Sequence, residues 1–404
     1  MRKLLFLIPF SVFLMAGQIS AQEDPEDEFI HRDFQFTFMF PPIGTNGIDF
    51  YKVVNCVSIN SFIGVSAGNE CFEAGGFMNV NRAYTIGTQL AGFMNITGIE
   101  KGRGYYSEGV QMAGFGNIFN TSYTGINIAG FANVSSGKFE GVQISGFTNV
   151  LPKVTNSVQI AGFGNVSREL DSTFQIAGFA NISEQGIKNS QISGFFNASE
   201  DIDGMQIAGF ANVAGTVKGF QLAGFVNVCD SIDGVPLAFI SIVKKNGYRS
   251  FELSTSDFSY VQLSYKMGIP RLYTIYSLSK PTGPFSRWTY GGGLGTRFPL
   301  ENEFALNLEL SANQVFWINE KQAEYFIETD RLNMVNQVKA IFSRKVMNDA
   351  SVFLAPTFNV GISSDKENGR NLGKDIMPYW QISPVNSGRT RVRLWVGFNA
   401  GLNI

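Results

Sequence analysis

Between residues 76 and 228 the chain writes Gly-Phe-x-Asn ten times, beginning at Gly76, Gly92, Gly114, Gly130, Gly146, Gly162, Gly178, Gly194, Gly209 and Gly224. The intervals are 16, 22, 16, 16, 16, 16, 16, 15 and 15 residues, and the long one holds an inserted stretch, Gly98 to Ser107. Ala or Ser precedes the Gly in nine copies, and Gln stands three before it in eight. A fixed beat of this kind marks an array in which each unit packs on its neighbours. Its function is then expected on a surface rather than in a catalytic pocket.

Fifteen or sixteen residues are too few for a pair of helices, which need repeats of roughly 33 to 47. They suit one coil of a β-solenoid. In Val142 to Val150, strict alternation puts Val142, Ile144, Gly146, Thr148 and Val150 on one face, and Gln143, Ser145, Phe147 and Asn149 on the other. Stacked coils then align Phe on Phe and Asn on Asn at roughly 4.8 Å, a geometry that favours aromatic and amide ladders. The expected ladder comprises Gly146, Phe147, Asn149, Gly162, Phe163, Asn165, Gly178, Phe179, Asn181, Gly209, Phe210 and Asn212. The Gly suits a bend or a close approach of the next coil, and the Asn can also serve backbone groups at a corner. If its ring is buried, Phe163→Ala is expected to cost about 3 kcal/mol. The rival geometry is one large transmembrane β-barrel with a strand per repeat. Its rims alternate long loops with short turns, against the near-uniform spacing seen here.

After Val243 the beat stops. Phe304, Leu306, Leu308, Leu310 and Ala312 alternate with polar residues, and Val352, Leu354, Phe358, Val360 and Ile362 repeat the theme. Val392, Leu394, Val396, Phe398, Ala400, Leu402 and Ile404 alternate with Arg391, Arg393, Trp395, Gly397, Asn399, Gly401 and Asn403. This is the pattern of a membrane barrel strand, apolar toward lipid and polar inward; a soluble antiparallel barrel or sandwich shows the same alternation. About eight strands are expected between Tyr248 and Ile404. Tyr260, Tyr265, Tyr273, Tyr276, Trp288, Tyr290, Trp317, Tyr379, Trp380 and Trp395 would form interfacial girdles, and Asn319 to Arg331 and Ser363 to Gly388 the long loops. A strand carrying Phe34, Phe36, Phe38 and Phe40 either closes that barrel or caps the first coil.

The expected fold class is therefore all-β: a solenoid of about 10 to 11 short repeats, then an antiparallel barrel of about eight strands. The expected divisions are a signal peptide at 1–21, an acidic leader with N-terminal strands at 22–70, the solenoid at 71–243 and the barrel at 244–404. Arg2 and Lys3, the apolar run Leu4 to Met15, and Ile19-Ser20-Ala21 carry the export signal. Export permits a disulfide, with Cys56 and Cys71 the natural pair; three buried thiols, Cys229 included, are the other reading.

The unit Gly141-Val142-Gln143-Ile144-Ser145-Gly146-Phe147-Thr148-Asn149-Val150 resembles the tandem unit of a family of bacterial outer-membrane surface-repeat proteins. The order of parts is similar too: a Thr45-Asn46-Gly47 turn, a strand near Ser58 to Gly68, the repeats, then a β-rich end. The resemblance spans nearly the whole mature chain. It implies location and architecture, and brings no activity, ligand or catalytic residue.

The residues themselves argue against an enzyme. The single His, His31, lies near the start, which leaves no His for a triad or a His-based metal site. Glu169, Asp171, Glu184, Glu200, Asp201, Asp203, Asp230 and Asp233 fall in the variable connections, and are expected out of register between coils. Gly291-Gly292-Gly293-Leu294-Gly295 lacks the helix a phosphate loop needs and reads as a close-packed strand. A net charge of -2 gives no case for nucleic acid. The expectation is an exported, non-enzymatic outer-membrane or cell-surface protein of a Gram-negative bacterium, without cofactor or metal. Its partners would be outer-membrane lipid and a glycan or protein ligand on the solenoid face. The alternatives are a secreted soluble solenoid adhesin or glycan-binding protein, and a small diffusion pore, which eight strands leave little room for.

Overall fold

The computed structural model describes residues 29–100, 104–281, 287–321, 324–328, 333–347, 350–363, 380–381 and 391–404. The expected signal peptide and the leader to residue 28 lie outside the described residues.

The described residues form two sheets, one of eighteen strands and one of ten. In the first, neighbouring strands run parallel and each coil repeats the register of the one before. Gln143 pairs with Gln159 and Ile144 with Ile160, while Asn149 sits between Asn133 and Asn165. Parallel rungs in register make a solenoid and exclude the single large antiparallel barrel. The stack extends beyond the motif at both ends. Phe62 and Phe239 stack on Phe77 and Phe225 although their coils lack Gly-Phe-x-Asn, so twelve rings form one row. Ile30–Thr37 pairs parallel with Val53–Asn60, so the Phe-rich first strand caps the solenoid instead of closing the barrel. Cys56 and Cys71 are joined in a disulfide there, and Cys229 is a buried free thiol.

The second sheet is antiparallel and closes on itself. Its eight barrel strands are Tyr248–Ser256, Ser259–Ile269, Leu272–Pro281, Arg287–Pro299, Phe304–Lys321, Asn333–Met347, Ala350–Ser363 and Arg391–Asn403. Closure comes from the first pairing with the last, Glu252 opposite Asn403. The stretch expected as a loop from Asn319 to Arg331 is in part strand: Glu324–Glu328 pairs with Trp317 to Lys321, extending the fifth strand as a hairpin. The second expected loop lies mostly outside the described residues.

Parity in the barrel is inside-out relative to a soluble one. Ser250, Glu252, Gln262, Ser264, Lys266, Glu309 and Asn359 are buried within it, while Leu253, Leu263, Leu308, Phe342, Phe358 and Val396 are exposed outside. Leu310 and Leu354 are each 60% exposed. The expected apolar rows on the fifth, seventh and eighth strands therefore face outward. Among the described girdle residues two do not: Tyr273 and Trp395 are buried inside the barrel, while the side chains expected at Trp317, Tyr379 and Trp380 lie outside the described ones. Alternation alone told the faces apart; it could not show that an aromatic ring takes the inner one. The Gly291-Gly293-Gly295 row makes room for inner side chains, since a Cβ at Gly295 would meet the Tyr273 ring at 2.4 Å.

Candidate functional site

The Phe corner shows where the alternation argument fails. Gln143, Ser145 and Asn149 are buried as one face, but Phe147 is only partly covered. Gly146 and Phe147 fall between the strands Lys138–Ser145 and Thr148–Ala161. At such a corner the chain turns and the period-2 count restarts, which throws Phe outward while Asn, two residues on, points in. Phe163 is 45% exposed, so the ring row is an outer edge and not a core. From Phe77 to Phe225 the centroids are 4.8 to 5.1 Å apart with planes within 15° of parallel. Exposed rows of Ile144 and Ile176 on one flank, and of Val150, Val166 and Val213 on the other, widen the edge into an apolar strip. Ser61 and Ala238 precede the two end rings, but before the ten between them the Gly is forced: a Cβ at Gly162 would stand 2.1 Å from the Gly146 carbonyl oxygen of the coil below.

Behind the rings run two amide ladders. Each Asn from Asn79 to Asn212 donates Nδ2 to Oδ1 of the next, at 2.8 to 3.1 Å. The same nitrogen serves the backbone, as in Asn149 to the Ile160 carbonyl at 3.0 Å, so both expected roles of Asn are met at once. Gln221, Gln206, Gln191, Gln175 and Gln159 donate in turn to the preceding Gln, ending on Gln143. Burying amides is tolerable only when they are paired. Asn127 breaks the Gln ladder, because a side chain one methylene shorter cannot span the rung. Both its amide atoms, Gln111 Oε1 and Gln143 Nε2 lack a protein partner. Glu73 occupies a rung of the same row, opposite Gln89. Asn60, Asn81 and Gln89, all neutral amides, donate to its carboxylate, and burial pushes it up to about 7. The other half of the interior is apolar, a row of Phe139, Val154, Leu170, Ile187, Ile202, Val217 and Ile232.

The acidic residues are more ordered than their spacing suggested. Asp203 pairs in register with Lys188 and Lys218, Lys218 with Asp233, and Lys188 bonds Asp171 at 3.1 Å. Asp171, Asp203 and Asp233 thus share one row, contrary to expectation, with a Lys between each pair. Like charges stacked at about 4.8 Å would repel, and alternation removes that penalty. Every carboxylate in the row has a cation next to it, unlike the paired acids of glycoside hydrolysis. Half a coil from the Phe corner, this is the solenoid's solvated side.

Inside the barrel, Lys266 bonds both Glu252 and Glu309, and Tyr273 donates to Glu309 at 2.8 Å. Trp395 Nε1 donates to Asp257 at 2.6 Å and Gln337 to Asn359 at 2.7 Å. These contacts fill the lumen with side chains. Among the described residues no three His, Cys, Asp or Glu side chains converge on a metal position, and no helix is long and apolar enough to cross a membrane.

The two units meet at the last coil. Ile269 of the barrel joins the solenoid's buried cluster beside Ile232 and Val243. Phe239 packs on Tyr276 at 4.8 Å, and Arg271 stands 3.9 Å from Asp233. The repeat motif stops at Val228 and carries no signal for this junction. Residues that sequence reasoning missed are Phe62 and Phe239, whose 15- and 14-residue spacing from the nearest copies was the available signal.

No protein-family model and no curated protein matches the chain. Among solved structures a match is the crystal structure of Neisserial surface protein A, at 12% identity over 39% of this chain and 93% of that one. Its TM-score is 0.23, and a likeness that weak carries no argument here.

Proposed function

We propose that this chain is a non-enzymatic outer-membrane protein whose barrel is the anchor and whose solenoid is a scaffold for binding. The carrying observation is barrel polarity: leucine, valine and phenylalanine outside, with Glu252, Lys266, Glu309 and Asn359 within. In water such a surface would be a large exposed apolar patch; in a bilayer it is the ordinary face of a β-barrel. The resemblance to outer-membrane surface-repeat proteins and the expected signal peptide support the same reading. A diffusion pore fits less well, because an eight-stranded lumen is narrow and side-chain bonds cross it, as from Lys266 to Glu309. Cell fractionation tests the proposal. The chain is expected in the outer-membrane fraction, resistant to salt and carbonate extraction. Recovery from the soluble periplasm or the medium would sink it and favour the secreted solenoid.

A further inference from the structure

The ring row runs the length of the solenoid and the Asp/Lys row its last coils, from Asp171 to Asp233, and they end on the barrel at different heights. The Phe row ends on Tyr276, while the charged row ends on Arg271. Arg271 lies in the tight turn between Ser259–Ile269 and Leu272–Pro281, and Tyr276 lies partway up the second of those strands. Five extended residues span roughly 16 Å, and a strand tilted about 40° turns that into a height of roughly 12 Å. One coil touching the wall at both points must lie along it. Because Tyr273 donates to Glu309 within the lumen, Leu272, Thr274 and Tyr276 project outward by alternation. Ile269, paired with Leu272, shares that outer face and enters the solenoid core. The last coil therefore packs side-on against the outer wall, and the rod grows away from the barrel's flank.

The rod's two sides then face different surroundings. Its Phe edge is level with the lower part of the barrel's apolar exterior, whereas its Asp/Lys side is level with the turns. The connections at that end are short: 270–271, 300–303 and 348–349. The opposite end carries 257–258, 282–286, 322–332 and 364–390. Short turns in outer-membrane barrels face the periplasm.

We propose that the Phe edge is a lipid-contact surface: the rod lies along the periplasmic leaflet of the outer membrane, rings toward the acyl boundary and charges in water. An apolar strip opposite a charged side is the pattern of an element that lies in an interface. The continuity of the strip with the barrel wall at Tyr276 names lipid as its occupant. The inference rests on the barrel being membrane-embedded, and its test separates the two.

Full-length chains carrying a single added cysteine, Phe163→Cys, Val166→Cys, Lys188→Cys or Leu310→Cys, are labelled with a nitrobenzoxadiazole probe. They are reconstituted in phosphatidylethanolamine–phosphatidylglycerol vesicles with or without doxyl-labelled lipid. Native Cys229 stays unlabelled because it is buried and burial pushes its thiol up to about 11. Doxyl lipid should quench the probes at 163, 166 and 310 about twofold or more, as for groups at acyl depth, and leave 188 unchanged. Quenching at 310 but not at 163 and 166 overturns the lipid edge and leaves the barrel anchor standing. No quenching at 310 overturns both. Equal quenching at 166 and 188, or cross-linking between copies through 166 without quenching, also overturns it, the latter in favour of a second copy. Val166→Cys keeps the ring row intact, so misfolding of the Phe163 variant does not spoil the test.

Discussion

The solenoid and the barrel hide polar side chains within β-sheet, but they obey opposite partner rules. In the solenoid the strands are parallel and in register, so each side chain meets a copy of itself. Only self-complementary residues can repeat under that rule: an amide that both donates and accepts, a flat ring, or a Gly that lets backbones close. In one charged row the sign alternates, from Asp171 through Lys188, Asp203 and Lys218 to Asp233. In the antiparallel barrel the facing residue need not match, so Lys266 can lie between Glu252 and Glu309 while fully buried. Repetition in one half and complementarity in the other follow from strand direction.

The comparison can be broken most sharply at glycine. Gly162→Val places a Cβ against a backbone carbonyl that cannot yield, and is expected to destabilise the solenoid by about 4 kcal/mol. Gly292→Val, on the barrel's outer face with its nearest atom at 3.7 Å, should change stability by less than about 1 kcal/mol. Denaturant titration of the detergent-folded chain compares the two, and equal effects would refute the self-stacking rule. Removing the cation from a complementary site comes next. Lys266→Ala leaves two buried carboxylates facing each other and should cost about 3 to 4 kcal/mol, read as a lower barrel melting temperature.

Glu73 tests what happens when a charge enters a self-stacking row. Its folded pKa, about 7, lies above the ordinary 4.5, so folding favours the neutral acid. That contribution is full below pH 4.5 and is lost as pH rises through 7, about 3 kcal/mol in all. Solenoid stability should therefore fall between about pH 4.5 and 7, and Glu73→Gln should flatten the profile. Unchanged pH dependence in that variant would place the titration elsewhere. Asn127→Gln should repair the broken ladder and raise stability by about 1.5 kcal/mol, a gain measurable in the same titrations. The smallest effect is at the edge: Phe163→Ala should cost about 1 kcal/mol, the scale of a stacked but half-exposed ring. A loss near 3 kcal/mol would mean that the ring is covered in solution.

Much of the fold is legible in the chain because repetition and alternation are themselves geometric statements. The period of 16 implies coils, and the run from Val392 to Ile404 implies a two-faced strand. The side taken by Phe147 is not legible, since one corner residue shifts parity and period-2 counting assumes an unbroken strand. The charged row escaped notice because the offset between these coils changes from 17 residues at Leu170 and Ile187 to 16 at Thr173 and Asn189, which hides the alignment of Asp171 with Lys188.

By itself the sequence determined the stacked coils, their amide and ring ladders, and the two faces of the barrel strands. These depend on neighbours along the chain and on copies at fixed spacing. The tertiary structure alone decided that the Phe row is outside, that Tyr273 and Trp395 turn inward, and that the last coil lies against the barrel's flank. Those outcomes depend on corners, on lumen volume, and on Phe239 meeting Tyr276 and Asp233 meeting Arg271. Such contacts join segments of different period, and no local pattern encodes them.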